Sequence, residues 1–185
     1  MTKAPAATRS ILRPLDRKDI PALARLTRAN REFLAPTSPL RSEEYFTDDG
    51  QERAVLESLQ AADNSTTLPL VIVDGAGKLV GTLNINSIIR GAFQSASLGY
   101  WVSEDRNGEG FASAAVAAAM RIASDQLGLH RLQAETLVDN EASQRVLARN
   151  GFVQYGRAPE YLKIAGRWQE HLLFQVTFPD HEQRL

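Results

Sequence analysis

Apolar and polar residues alternate along this chain with two distinct periods, and the switches between them mark its elements. In residues 51–62 the apolar positions Val55, Leu56 and Leu59 fall on one face at helical spacing. Residues 70–73 and 79–89 are instead dense in Leu, Ile and Val and flank Asp74-Gly75-Ala76-Gly77. That combination predicts a β-hairpin closed by a tight turn. Upstream, residues 10–15 read as a short strand. Asp16 then caps a helix in which Ile20, Leu23, Leu26 and Ala29 share a face. Pro21 sits in the first turn of that helix, where a missing N–H costs little. Residues 33–50, broken by Pro36 and Pro39, read as a connector.

Downstream, residues 91–95 turn the chain into a strand at 96–102. A helix follows over 110–127, ended by Gly128, then a strand at 131–138. Residues 141–149 form a further helix, stopped by Asn150-Gly151. A strand opens at 152–155, and residues 167–178 close the sheet after a hairpin turn at 164–168. The order β-α-α, an antiparallel meander, then β-α-β-α-β-β predicts an α/β fold of the mixed α+β kind: one mixed sheet with helices on both faces.

The length of 185 residues suits one domain spanning 1–185, with polar tails at 1–9 and 180–185. A formal net charge of -1 gives no electrostatic support to a nucleic-acid or membrane-surface role. The absence of cysteine removes disulfides, cysteine-ligated metal sites and thiol nucleophiles, and it permits a cytoplasmic location. The three histidines have no ligand spacing, so no metal site is expected. No apolar run approaches the roughly 20 residues of a membrane span, and the polar start lacks the apolar core of a signal peptide.

The chemistry concentrates at Arg106-Asn107-Gly108-Glu109-Gly110-Phe111-Ala112, directly before the charge-free, alanine-rich run 111–120. A helix N-terminus presents N–H groups with no partner in the helix, at the positive end of its dipole. Glycines there let a phosphate approach bare backbone. A plain flexible turn accounts for the same two glycines. A Walker A loop is excluded, because Gly110 is followed by Phe111-Ala112 rather than by Lys and a hydroxyl residue. A dinucleotide fingerprint is incomplete: Ser113 stands where a third small glycine-type residue belongs, and Glu135 lies inside the next strand rather than at its end.

This segment resembles the acetyl-coenzyme A loop of the GNAT superfamily of N-acetyltransferases, whose pattern is Gln or Arg, two residues, Gly, one residue, then Gly or Ala. Here it runs Asn107, Gly108, Glu109, Gly110, Phe111, Ala112, with Asn107 departing from the usual first residue. Residues 30–39, 81–102, 140–152 and 161–174 are similar to the ribosomal-protein N-terminal acetyltransferase branch, within it the alanine-acetylating RimJ type. The resemblance runs from about Ile11 to Pro179. One departure falls in the peptide pocket: Thr37-Ser38 follow Pro36 where that type tends to carry tryptophan.

The resemblance implies a GNAT fold, with a central, mostly antiparallel mixed sheet and a splayed strand pair. It implies acetyl-CoA as cosubstrate, coenzyme A as product, and direct transfer to a primary amine. The acceptor it points to first is the N-terminal Ala or Ser amine of a ribosomal protein, and the enzyme would be a monomer or homodimer. Small amines such as antibiotics, polyamines or amino acids are the alternative acceptors, and a non-catalytic acyl-CoA-binding domain is the alternative role.

By the same resemblance the strand edge at Tyr100, Trp101 and Val102 receives the pantetheine arm, with main-chain N–H at Trp101 or Val102 facing the thioester. Asn140 contacts the arm, Ser143 is the general acid, and Glu160 is the first choice of base. Glu170, beside His171, is the second choice from the residues themselves. From the residues alone, Tyr100 and Trp101 are core packing on a strand, Asn140 is a helix cap and Ser143 an ordinary first-turn residue. Arg145 and Arg149, four apart on one helix face, either reach the coenzyme phosphate or pair with Glu141 and solvent.

Overall fold

The computed structural model describes residues 11–179. The expected tails at 1–9 and 180–185, and Ser10 of the first strand, lie outside the described residues. Seven strands form one sheet in the order β1-β2-β3-β4-β5-β7-β6. They are β1 (Leu12–Pro14), β2 (Leu68–Val73), β3 (Leu79–Ile89), β4 (Ser95–Val102), β5 (Arg131–Leu137), β6 (Val153–Ile164) and β7 (Arg167–Thr177). Every neighbouring pair is antiparallel except β4 and β5. The helices are α1 (Ile20–Ala29), α2 (Arg31–Leu34), α3 (Asp48–Asp63), α4 (Phe111–Arg121) and α5 (Glu141–Arg149).

Side-chain alternation in β2 divides the core between the two faces of the sheet. Val71 and Val73 pack with Leu23 of α1 and Val55 of α3, against Leu79 and Trp101. Leu70 and Ile72 point the other way, into a larger cluster with Leu83, Leu98 and Leu132 and with Ala115, Val116 and Ala119 of α4. Ala115 and Ala119 are fully buried, so this helix owes its close seat on the sheet to residues that lose no side-chain entropy on burial. Among the described residues, no helix is long and apolar enough to cross a membrane.

The parallel pair is the irregular part of the sheet. β4 and β5 share only Ser95↔Arg131, Ala96↔Leu132 and Ser97↔Gln133. Beyond that point residues 98–102 remain bonded to β3 alone and 134–137 to β7 alone. The two strands therefore splay, and each presents one unpaired edge to the gap between them.

Four elements differ from the sequence expectation. Asp16 caps a 3-10 turn, Arg17–Asp19, by accepting the Lys18 N–H (2.9 Å), and α1 begins only at Ile20 with no side-chain cap. The helix starting at Phe111 is α only to Arg121. It ends in a π turn, Ile122–Gln126, where Leu127 N–H donates to Ile122 O (2.9 Å) before Gly128 at φ 59° reverses the chain. The strand opening at 152–155 extends to Ile164, because Pro159, which has no N–H to donate, falls in a register shift between Ala158 and Leu162 instead of ending the strand. The 33–50 connector holds the end of α2, two 3-10 turns, Ala35–Thr37 and Glu43–Phe46, and the start of α3. Tertiary contacts hold those turns: Arg31 pairs with both carboxylate oxygens of Glu43, and Gln51 Nε2 of α3 donates to Tyr45 O (2.7 Å).

Candidate active site

Gly108 and Gly110 adopt φ of 80° and 86°, the left-handed region that L side chains rarely enter. A Cβ at either would meet nothing within 4 Å, so the demand for glycine comes from the backbone turn and from whatever must approach it. Among the described residues, the N–H groups of 108–113 donate to no carbonyl and no side chain. They form a row at the N-terminus of α4, exposed at 108–110 and half-buried at 111–113, and the first turn of the helix carries no acid. This is the donor set that a diphosphate fits.

Glu109, the one carboxylate in the loop, is neutralised by Arg106, with Nε–Oε1 at 3.0 Å and Nη2–Oε2 at 3.2 Å. The same guanidinium reaches Asp74 Oδ2 in the β2–β3 turn (3.2 Å) and lies 4.8 Å above the Phe111 ring. Asp74 is held below the usual carboxylate range, chiefly by the N–H of Lys78 and also by Arg106. Arg106 stands one position before the loop pattern, so the motif does not mark it. Its role as the brace between loop and hairpin depends on a partner 32 residues away.

In the splay, register puts Tyr100 on the α5 face of the sheet. Its Oη lies 2.9 Å from Ser143 Oγ and donates to Ser143 O at 3.4 Å. Burial pushes the Tyr100 phenol up to about 12, only partly opposed by the Ser143 hydrogen bond, so it stays protonated at neutral pH. Asn140 Oδ1 accepts the Ser143 N–H (3.1 Å) and caps α5, which fixes Ser143 in the first turn facing the gap. Arg145 pairs with Glu141 (3.0 Å) on the exposed side of the same helix.

Ser103 N–H donates to Val80 O (2.8 Å). Alternation along the antiparallel ladder therefore turns the N–H of Val102 and Tyr100 toward the open edge and commits that of Trp101 to β3. The Trp101 side chain packs on the α1/α3 face. On the far wall of the gap, Thr136 is buried with 3% exposure, and its hydroxyl has no hydrogen-bond partner among the described residues. The unpaired strand edge of the gap suits a polar, extended ligand.

The opposite face carries a cavity of about 410 Å³, reached by Gly99 and Trp101 of β4, Asn84 of β3, Thr27 of α1, Arg31 of α2, and Thr37, Ser38, Arg41, Tyr45 and Phe46 of the connector. The β6–β7 turn bears on its wall: Ala165 N–H donates to Ser38 O (2.9 Å), and Gly166 approaches Leu40. Cavity and gap meet at Gly99, Tyr100 and Trp101.

The carboxylates near this junction differ in environment. Glu135 lies on the cavity face of β5, across the split from Gly99, half-buried, and burial raises its carboxyl above the usual range. Its charge adds to burial in raising the Tyr161 phenol, and Tyr161 lies 5.6 Å from the buried His171 ring. His171 Nδ1 is 2.9 Å from Gln169 O. Glu160 is exposed on the β6 bulge at φ 48°. Glu170 is tied to Arg157 through both oxygens (2.6 Å each), which holds it below the usual range. His130 is exposed at the entry to β5.

A phosphate-type cradle, a splayed parallel pair and a cavity meeting it from the other face form one arrangement. Residues 9–153 match the family described as acetyltransferase (GNAT) domain. The chain belongs to the GNAT acetyltransferase family. Its relatives include ribosomal-protein alanine and serine acetyltransferases. The [ribosomal protein uS5]-alanine N-acetyltransferase of Escherichia coli (strain K12) is 30% identical over 173 residues, covering 93% of this chain and 89% of the relative. Among solved structures, Mycobacterium smegmatis RimJ in complex with CoA-disulfide is 32% identical with a TM-score of 0.86, covering 94% of this chain and 82% of that one. Ribosomal-protein-S5-alanine acetyltransferase from Vibrio fischeri is 31% identical with a TM-score of 0.84, covering 90% and 91%. In this GNAT acetyltransferase the splayed pair implied by resemblance is β4 and β5, and the glycine loop opens α4.

Proposed function

We propose that this GNAT acetyltransferase transfers acetyl from acetyl-CoA to the N-terminal amine of a protein beginning with Ala or Ser, with ribosomal proteins as the acceptor class. One catalytic unit acts in the cytoplasm, as monomer or homodimer. The observation that carries this reading is the junction itself: cradle and gap approach β4 from one side, the cavity from the other, and they meet at Gly99–Trp101. The acceptor class is supported by the activities for which the E. coli and V. fischeri relatives are named.

Acetyl-CoA supplies the acetyl group as a thioester. The N–H row from Gly108 through Glu109, Gly110 and Phe111 to Ala112 receives its diphosphate, with Asn107 at the loop entrance. The open edge of Tyr100 and Val102, with Asn140 opposite, holds the arm. The acceptor amine attacks the thioester carbon, and the C–S bond breaks as the C–N bond forms. Ser143 delivers its proton to the departing thiolate, Tyr100, hydrogen-bonded to it, replaces that proton, and the phenolate so formed regains one from solvent, to which the base releases the proton taken from the amine.

The amine must lose a proton in the same reaction. An N-terminal α-amine has a pKa of about 8, so a modest base suffices. Resemblance supplies Glu160. A second assignment, Glu135, is favoured by its half-buried carboxyl on the cavity face beside the split, where a raised affinity for protons suits a base at neutral pH.

Glu135→Gln is expected to lower kcat about 100-fold at pH 7 and to remove the acidic limb of the pH–rate profile. Glu160→Gln is expected to change kcat less than about tenfold. The reverse ranking would return the role to Glu160. Stability moves the other way. A carboxyl raised in the folded state binds more protons folded than unfolded, so its contribution is most favourable at low pH and weakens as pH rises through the folded value. Glu135→Gln therefore raises the melting temperature at pH 7, and the gain disappears below about pH 4, the ordinary glutamate range.

The function as a whole is tested by screening short peptides with varied first residues beside spermidine and an aminoglycoside. Ala and Ser peptides are expected to be the better acceptors. Turnover confined to the small amines would overturn the acceptor reading and leave the family assignment intact.

A further inference from the structure

The rim of the acceptor cavity carries an ordered run of charge. Tyr45 and Phe46 stand edge to face, with ring centroids 5.3 Å apart at 90°. Each ring carries a guanidinium: Arg31 lies 4.5 Å above Phe46 and Arg41 lies 4.5 Å above Tyr45. The platform is fixed from below, because Gln51 of α3 donates to Tyr45 O and its own Oε1 accepts from Thr27.

The two cations are not equivalent. Arg31 is neutralised by Glu43, which does not line the cavity. Arg41 has no carboxylate partner among the described residues, and its contact with Tyr45 occupies only the face of the guanidinium. The in-plane N–H donors, which match a carboxylate two to one, remain available.

The cavity lining contains both arginines and neither an aspartate nor a glutamate among the described residues. Such a lining offers no carboxylate to an acceptor that arrives as an ammonium. A positive field lowers the pKa of the incoming amine and so favours its neutral, nucleophilic form. The same field repels an acceptor carrying further positive charges. A polyamine or aminoglycoside meets the uncompensated Arg41 guanidinium there, Arg31 being paired with Glu43, and no carboxylate in the lining.

We propose that this cavity selects acceptors carrying a carboxylate within a few residues of the reacting amine, and that Arg41, posed on Tyr45, is the group that pairs with it. The inference rests on the acceptor reading above and narrows it to an acidic peptide N-terminus. Arg41 is a specificity residue in this scheme and touches neither the thioester nor the transferred proton.

The test uses the full chain with three peptides that start with Ala and differ at the next two positions, acidic, neutral or basic, beside spermidine. The acidic peptide is expected to exceed the basic one by about tenfold in kcat/KM at low salt, the sum of an exposed attraction in one and a repulsion in the other. The difference should lie in KM and shrink as salt rises. Arg41→Gln should narrow the gap, and Arg41→Glu should reverse it in favour of the basic peptide.

Equal turnover of the three peptides by the unmodified enzyme would overturn the inference while leaving peptide acetylation standing. Turnover of spermidine with no peptide turned over would overturn both. An acidic preference retained in full by Arg41→Gln and Arg41→Glu would place the recognition elsewhere and remove Arg41 from it.

Discussion

Gly110→Asp is expected to weaken acetyl-CoA binding about 100-fold or more by calorimetry, while Gly110→Asn is expected to retain it within about tenfold. The pair separates charge from conformation. Gly110 sits at φ 86°, and any L residue there incurs roughly 1–2 kcal/mol of backbone strain. Asn and Asp are the residues that tolerate this region best, and both meet open space where the Cβ would stand. Their difference is therefore the carboxylate, set among the unpartnered N–H groups of 108–113 where the diphosphate is proposed to lie. Two like charges about 4 Å apart at an effective dielectric of about 20 repel by about 4 kcal/mol. Solvent screening at this exposed loop reduces that, and a loss of about 100-fold or more remains. Unchanged affinity in Gly110→Asp would remove the loop from the coenzyme site.

Ser143→Ala is expected to lower kcat about 100-fold with little change in acetyl-CoA affinity, because the lost hydroxyl acts on the leaving thiolate rather than on the bound ground state. Tyr100→Phe should produce a smaller loss, and the double variant should be no worse than Ser143→Ala alone. That non-additivity follows from the 2.9 Å Oη–Oγ contact: if the phenol works only by replenishing the serine proton, it has nothing to do once the serine is gone. With the Tyr100 phenol near 12, neither single variant should move the neutral part of the pH–rate profile. An unchanged kcat in Ser143→Ala would discard its role as acid, and additive losses would mean that the two hydroxyls act separately.

Some parts of this molecule are written locally and others are not. The helix Glu141–Arg149 is legible to the residue, since Asn140 caps its start and Asn150-Gly151 its end within a turn of the chain. Strand Leu79–Ile89 is equally plain, because its β-branched density and the Asp74–Gly77 turn are both short-range signals. The course of β6 past Pro159 is not legible. Whether a proline ends a strand or sits in a bulge depends on how β7 pairs around it. The 3-10 turns of the connector are hidden for a similar reason: Glu43 finds Arg31 and Tyr45 finds Gln51 only once α1 and α3 are packed.

The site divides along the same line. Sequence alone marked the glycine cradle, because a left-handed turn at a helix start and the free amides behind it are backbone properties that Gly108 and Gly110 carry in themselves. Asn140 and Ser143 were marked by the family resemblance, since the residues alone read as a helix cap and an ordinary first-turn position. Tertiary structure alone decided that Tyr100 meets Ser143 across 43 residues, that Arg106 braces the loop against Asp74, that Glu135 is half-buried, and that two stacked guanidiniums edge an acid-free cavity. The reason is physical. Capping and turn geometry are settled within one turn of chain, whereas desolvation and charge pairing depend on surfaces brought together from distant segments, and no local pattern encodes them.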